Sequence, residues 1–152
     1  MEIKYINDES IFIETVSTWI FNEFVNGIRP GISFEMILSM FKNMNGSSIP
    51  FSLIAVENKN CLGTISLVAN DQMPRDYTPW LSALYVESNQ RNKGIGKSLI
   101  KKAEIIARLM GFTRLYLRTE DSSAYYSQLG YNYIETTCDN FGIVVDIFCK
   151  KI

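Results

Sequence analysis

The sequence predicts a single α/β domain, and three observations predict it. Short runs that are apolar throughout or at alternate positions read as strands, and the segments between them carry apolar residues at helical intervals. Turn residues separate the two kinds, with no linker, repeat or low-complexity tract, so residues 1–152 are read as one domain. A composition of 47% hydrophobic and 20% charged residues is that of a chain able to bury an ordinary core.

Residues 2–6 ("EIKYI") alternate as a short strand. Ser10 is a candidate N-cap for a helix whose apolar residues include Ile13, Val16, Ile20 and Phe24, and which Gly27 and Pro30 stop. Ser33 caps a second helix, with Met36, Ile37, Met40 and Phe41 on its apolar side, and "NGSSIP" turns the chain. Residues 51–57 and 61–69, joined by "NKN", read as an antiparallel hairpin. A loop with two prolines, "NDQMPRDYTP", leads to residues 80–87, apolar enough for a central strand. A glycine turn follows, then a helix over residues 94–110 with Ile95, Leu99, Ala103, Ile106 and Met110 as its core stripe, closed by Gly111. "FTRLYLRT" is a strand, "SSAYYSQLG" a short helix, and "YNYIETT" and "GIVVDIFCK" are the last two strands.

Composition also excludes chemistry. A chain without histidine holds no Ser-His-Asp triad, no Cys-His pair and no histidine-bound zinc. Cys61, Cys138 and Cys149 are widely spaced and odd in number, and read as reduced, mostly buried thiols of a cytoplasmic protein. The first residues lack a signal-peptide pattern, and no run approaches the ~18 apolar residues of a membrane span. A net charge of −1 gives no general attraction to nucleic acid or membrane, so any positive site is local.

The local candidate is "NQRNKGIGKSL", residues 89–99. A strand that feeds a glycine turn and then a helix exposes N–H groups lacking intrahelical partners at the positive end of the helix dipole. Gly94 and Gly96 let a ligand sit against the backbone, and Arg91, Lys93 and Lys97 add positive charge, which together suit a diphosphate. The spacing is not GxxxxGK[ST], and Leu99 stands where the third glycine of GxGxxG belongs. A tight turn with solvated lysines is the alternative for this stretch alone.

In context, "LYVESNQRNKGIGKSLIKKAEIIARLMGF" resembles the acetyl-CoA-binding segment of GNAT-type N-acetyltransferases, whose signature is Q/R-x-x-G-x-G/A. "RLYLRTEDSSAYYSQLGY" resembles the strand and short helix that follow it in that family, ending in a tyrosine four residues before a glycine-aromatic pair. The upstream strands fit as well. The resemblance implies a mainly antiparallel mixed sheet with helices on both faces, its two central parallel strands splayed apart. It implies acetyl-CoA as co-substrate, with no metal, and backbone N–H groups of Asn92, Lys93, Gly94, Ile95, Gly96 and Lys97 around its diphosphate. Arg91 would fix the turn or touch phosphate, and Leu84, Tyr85 and Val86 would pair with the pantetheine arm as an added strand. Tyr126 would be the general acid that protonates the leaving thiolate. From periodicity alone Tyr125 and Tyr126 are packing residues, and Tyr125 keeps that reading.

The resemblance places a glutamate near the start of the strand before the signature, where this chain reads Trp80-Leu81-Ser82. Asp71, Asp76, Glu87, Glu120 and Asp121 are the nearby carboxylates, and none stands out as the base. Trp19, Phe21, Phe24, Phe34 and Phe41 belong mostly to the core, and Asp71, Asp76 and Tyr77 could meet a cationic amine. The expected activity is acetyl transfer to a primary amine of a small molecule or peptide, with no nucleic-acid or membrane partner. Homodimers are frequent in the family. A non-catalytic acyl-CoA-binding module is the alternative on the same fold, and a nucleotide-binding protein is a third reading, disfavoured by the incomplete motifs.

Overall fold

A computed structural model describes residues 1–72 and 75–152. Its elements are β1 (Glu2–Tyr5), α1 (Ile13–Phe24), α2 (Phe34–Lys42), β2 (Phe51–Glu57), β3 (Asn60–Val68) and β4 (Trp80–Val86). Then come α3 (Ile95–Leu109), β5 (Arg114–Thr119), α4 (Ser123–Gln128), β6 (Asn132–Cys138) and β7 (Val144–Lys151). The seven strands form one sheet in the order β1-β2-β3-β4-β5-β7-β6, antiparallel except for β4 beside β5.

Both faces of the sheet are covered, which is why β2 and β3 are apolar almost throughout. Phe51, Leu53 and Ala55 face a core shared with Leu99, Ala103 and Ala107 of α3, while Ile54 faces Val16 and Ile20 of α1 and Phe41 of α2. Asn58 and Lys59, at φ +51° and +65°, make the β2–β3 connection a turn whose twist suits a hairpin. Glu104, on the buried side of α3, accepts hydrogen bonds from the Tyr131 hydroxyl at 2.9 Å and Lys150 Nζ at 2.8 Å.

The parallel neighbours β4 and β5 meet at one register pair, Trp80 with Tyr116. An aromatic pin holds that point: Trp80 is fully buried, and the Tyr77 and Tyr116 rings stack at 4.8 Å beside it. Past the pin the strands diverge, and β4 from Leu84 to Val86 has no partner on β5. The sheet is thus open along a V between its two central strands.

One expectation needs correction. Ser10 does not cap α1; it lies in a 3-10 segment, Ile6–Phe12, that buries Ile6 and turns the chain sharply from β1, and α1 starts at Ile13 with no side-chain cap. Two of the three cysteines, Cys61 and Cys149, are buried, in line with mostly buried thiols, and Cys138 is exposed on the sheet-edge strand β6. In the β3–β4 loop, Met73 and Pro74 lie outside the described residues. Among the described residues no helix is long and apolar enough to cross a membrane.

Candidate functional site

A cleft of about 1150 Å³ runs from the N-terminus of α3, along the V between β4 and β5, to the residues after α1. At its first end the chain leaves β4, makes a short 3-10 turn over Ser88–Gln90 and enters α3. Asn92 and Gly94 have φ of +62° and +81°, and Gly94 is the N-cap residue of α3, with no side-chain cap on the first turn. A Cβ at Gly94 would meet nothing within 4 Å, so the backbone there is open to the cleft. The buried Ile95 anchors the turn from below. Arg91 Nε donates to the Val86 carbonyl at 2.9 Å, and its guanidinium lies 5.4 Å from the centre of the Tyr85 ring. Arg91 therefore ties the turn back onto β4. Arg91, Asn92, Gly94, Ile95, Gly96 and Lys97 line the cleft with Leu84, Tyr85 and Val86, but Lys93 does not, and its ammonium donates to Gln90 Oε1 at 3.0 Å.

The middle of the cleft contains a feature with no signal in the sequence. Ala83 adopts φ +52°, and the β3–β4 register slips between Thr64 and Ser66, so Ala83 and Leu84 stand against Ile65 alone. This bulge takes β4 out of regular pairing where the V begins, at a conformational cost on the order of 1–3 kcal/mol for a non-glycine residue. An alanine in a strand looks ordinary on paper; only the register shows it.

Across the V stands α4. Tyr126 lines the cleft and packs edge-on against Tyr125, at 5.2 Å between ring centres, and against Tyr131 at 6.1 Å. Burial, helped by nearby Tyr125 and Asp121, pushes the Tyr126 phenol above its ordinary value, so it holds its proton at neutral pH. Its hydroxyl has no hydrogen-bond partner among the described residues. Tyr125 is not an inward packing residue: it is 38% exposed, and its hydroxyl reaches the first turn of α3.

The far end of the cleft is made of side chains from distant segments. Arg29, only 8% exposed, donates to the Phe24 carbonyl, to Asp139 Oδ2 at 3.1 Å and to Glu120 Oε1 at 2.6 Å. Burial disfavours the charge on Arg29, but these carboxylates outweigh it and raise its pKa. Burial also acts against the Asp139 carboxylate, yet the N–H groups of Ile143 and Phe141 and the Arg29 guanidinium hold it below its usual range. Arg118 reaches Gln72 Oε1 at 2.8 Å and Asp71 Oδ2 at 3.4 Å. Asp71 is the opposite case to Asp139: desolvation outweighs Arg118 and the Ser82 hydroxyl, and its pKa is raised.

Of the five candidate carboxylates, Asp71, Glu120 and Asp121 line the cleft, and Asp76 and Glu87 do not. Of the five aromatics only Phe24 lines it; Trp19 packs on Tyr85 at 5.3 Å, Phe21 on Phe34 at 6.0 Å, and Phe41 is fully buried. Tyr77 belongs to the pin beside Trp80. Arg29, Arg118 and Asp139 were not foreseen, because nothing in a linear sequence brings residues 29, 120 and 139 together.

A family model described as the acetyltransferase (GNAT) family matches residues 16–131. No curated protein matches the chain. Among solved structures, an aminoglycoside 6'-N-acetyltransferase complexed with coenzyme A superposes with a TM-score of 0.78 at 17% identity, covering 99% of this chain and 97% of that one. A GNAT-family acetyltransferase from Staphylococcus aureus Mu50 gives 0.75 at 20% identity, covering 99% and 98%. A ribosomal-protein-alanine N-acetyltransferase from Brucella melitensis gives 0.72 at 18% identity, with each chain covered in full at 100%.

Proposed function

The chain belongs to the GNAT acetyltransferase family, and from that premise we propose that it transfers the acetyl group of acetyl-CoA directly to a primary amine of a small molecule or peptide. The observation that carries the reading is one continuous cleft joining an uncapped helix N-terminus, a stretch of β4 left unpaired on its β5 side and a tyrosine hydroxyl without a partner among the described residues. The residues present fit the co-substrate. An open backbone at Gly94 and the free N–H groups of α3 suit a diphosphate, and β4 from Leu84 to Val86 suits the amides of a pantetheine arm.

Acetyl-CoA supplies an activated thioester carbonyl. The remaining work falls to the chain's own groups. N–H groups of Asn92 and of Gly94 to Lys97 hold the diphosphate, with Lys97 adding charge, and Arg91 keeps their turn on β4. The Tyr126 phenol delivers its proton to the leaving sulfur, a role suited to a group protonated at neutral pH. Asp71 takes up the proton that the amine releases. It stands beside Ser82, where the strand itself offers no acid, and its raised pKa makes it a better base than an ordinary aspartate. Glu23, Asp71, Glu120 and Asp121 along the far end favour an acceptor with positive charge. Two structural neighbours, the aminoglycoside 6'-N-acetyltransferase and the ribosomal-protein-alanine N-acetyltransferase, are named for a small-molecule and a protein acceptor, in keeping with this class. Unpaired cysteines accord with a cytoplasmic site of action. No metal enters the scheme.

The experiment is thermal unfolding with acetyl-CoA, CoA, ATP and NADH in parallel, followed by acetyl transfer to a panel of amines. A ligand at 100 times its dissociation constant adds about 2.7 kcal/mol, which raises the midpoint of a chain this size by roughly 5–10 °C. Selective stabilisation by the two CoA species, then turnover, supports the reading. Stabilisation without turnover on any amine favours the acyl-CoA-binding module, and no shift with either CoA species removes both.

A further inference from the structure

We propose that Tyr125 is a second tyrosine of the co-substrate site, its hydroxyl donating a hydrogen bond to the diphosphate, and that Gly96 is glycine to admit that hydroxyl. The proposal rests on the acetyl-CoA reading above and assigns Tyr125 a part in it. A Cβ built on Gly96 would lie 2.9 Å from the Tyr125 hydroxyl oxygen, 3.7 Å from Val86 Cγ2 and 4.0 Å from Tyr125 Cζ. The phenol thus meets the first turn of α3 end-on, with its oxygen leading. That turn is where the uncapped N–H groups point.

The surroundings argue that the oxygen is placed for a ligand. Tyr125 lines the cleft together with Gly94, Gly96 and Lys97, and its hydroxyl has no hydrogen-bond partner among the described residues. The neighbouring Tyr126 packs against the α3 side of the sheet, as a short amphipathic helix requires. Tyr125 instead remains 38% exposed and is steadied by the edge-on contact with the Tyr126 ring. Partial burial keeps the phenol protonated and hence a donor. A neutral O–H beside backbone N–H groups adds a directed donor for a phosphate oxygen without adding charge. The two tyrosines therefore divide along the cleft: Tyr126 toward the reacting sulfur, Tyr125 toward the phosphates. Gly96 and Tyr125 act as a matched pair, because a side chain at 96 displaces the hydroxyl.

Calorimetric titration of the wild type, Tyr125→Phe, Gly96→Ala and the double variant with CoA, and with S-acetylpantetheine by competition, tests this. Each titration is accompanied by the unliganded melting temperature. Wild-type affinity for CoA is the control for the acetyl-CoA reading, and its absence would remove that reading and this one together. Given wild-type binding, Tyr125→Phe should weaken CoA by about tenfold, the scale of one hydrogen bond to a charged group, with the unliganded melting temperature and the S-acetylpantetheine affinity unchanged. Gly96→Ala should cost about as much, and the double variant no more than the worse single variant. Wild-type affinity for CoA in Tyr125→Phe overturns the proposal while the acetyl-CoA reading stands. Equal losses for CoA and S-acetylpantetheine also overturn it, since the hydroxyl would then serve the arm and not the phosphates.

Discussion

The two ends of the cleft are built by different means. The α3 end is backbone: one strand end, one turn and one helix start, all within residues 84–97, with glycine at the positions that must stay open. The opposite end is side chain: Arg29 from the segment after α1, Asp71 and Gln72 from the β3–β4 loop, Arg118 and Glu120 from the end of β5, and Asp139 from the β6–β7 turn. The difference teaches how a fold can keep one substrate and change the other. A diphosphate is met by N–H groups that every residue type supplies, so that end is constrained by conformation. An amine acceptor is met by charges whose identity is free to vary, held in place only by their pairing.

The comparison breaks first at Gly94. Gly94→Asp forces a side chain into φ +81° and sets a carboxylate where the dipole favours an anion, so CoA affinity should fall by more than about 100-fold by calorimetry. Affinity within a few-fold of wild type would mean that the open backbone is a turn and nothing more. At the middle of the cleft, Tyr126→Phe should lower turnover by roughly 10²-fold and leave the CoA dissociation constant nearly unchanged. Equal turnover would return Tyr126 to packing. Asp71→Asn should cost a similar factor, on the order of 10²-fold, and should abolish the acid limb of the pH–rate profile. With Asp71 as the base, that limb in the wild type should mark Asp71 losing its proton and should lie above the ordinary aspartate range, because burial outweighs Arg118 and Ser82. Arg118→Met removes the counter-charge and should move the limb further up; a limb that stays in place in both variants dismisses Asp71 as the base.

What the sequence made legible follows the same division. The elements with a strong period or a firm stop were readable: α3 is found within one residue of its expected ends, bounded by Gly94 and Gly111, and the β2–β3 hairpin forms around Asn58 and Lys59. The Gly94–Gly96 turn was readable because its chemistry is local. The bulge at Ala83 was not, because alanine carries no mark of a positive φ and the slip exists only relative to β3. Nor was the Arg29 network, since Arg29 and Asp139 are separated by 110 residues and each alone is an ordinary surface charge. Tyr125 was misread for a related reason: a six-residue helix has too few positions to tell which of two adjacent tyrosines faces the core.

The side-chain end has its own tests. Arg29→Met leaves Asp139 buried and without its guanidinium, and frees Glu120 into the cleft. Removing one partner of a buried pair costs about 3 kcal/mol, so the melting temperature should fall by roughly 6–12 °C at neutral pH. The acceptor KM should rise while CoA affinity stays within about twofold. A parallel loss of CoA affinity would show that the two ends are not independent, and the contrast between them would fail.

Asp139 gives the smallest expected effect and the one with a signed pH dependence. Its folded pKa is held below the unfolded value near 3.9 by the N–H groups of Ile143 and Phe141 and by Arg29, against the opposing effect of burial. The stability it contributes is therefore present above that unfolded value and is lost as pH falls through the folded one. Asp139→Asn keeps a carbonyl that can accept from the same two N–H groups and surrenders only the charge facing Arg29, so the loss at pH 7 should be about 1–2 kcal/mol in chemical denaturation. At a pH below both values the carboxyl is neutral in either state, and the variant and the wild type should converge. A difference that persists undiminished there would assign the role of Asp139 to the shape of the β6–β7 turn. The Arg29 bridge would then be a consequence of that turn, and the side-chain end of the cleft would owe its position to backbone as much as the other end does.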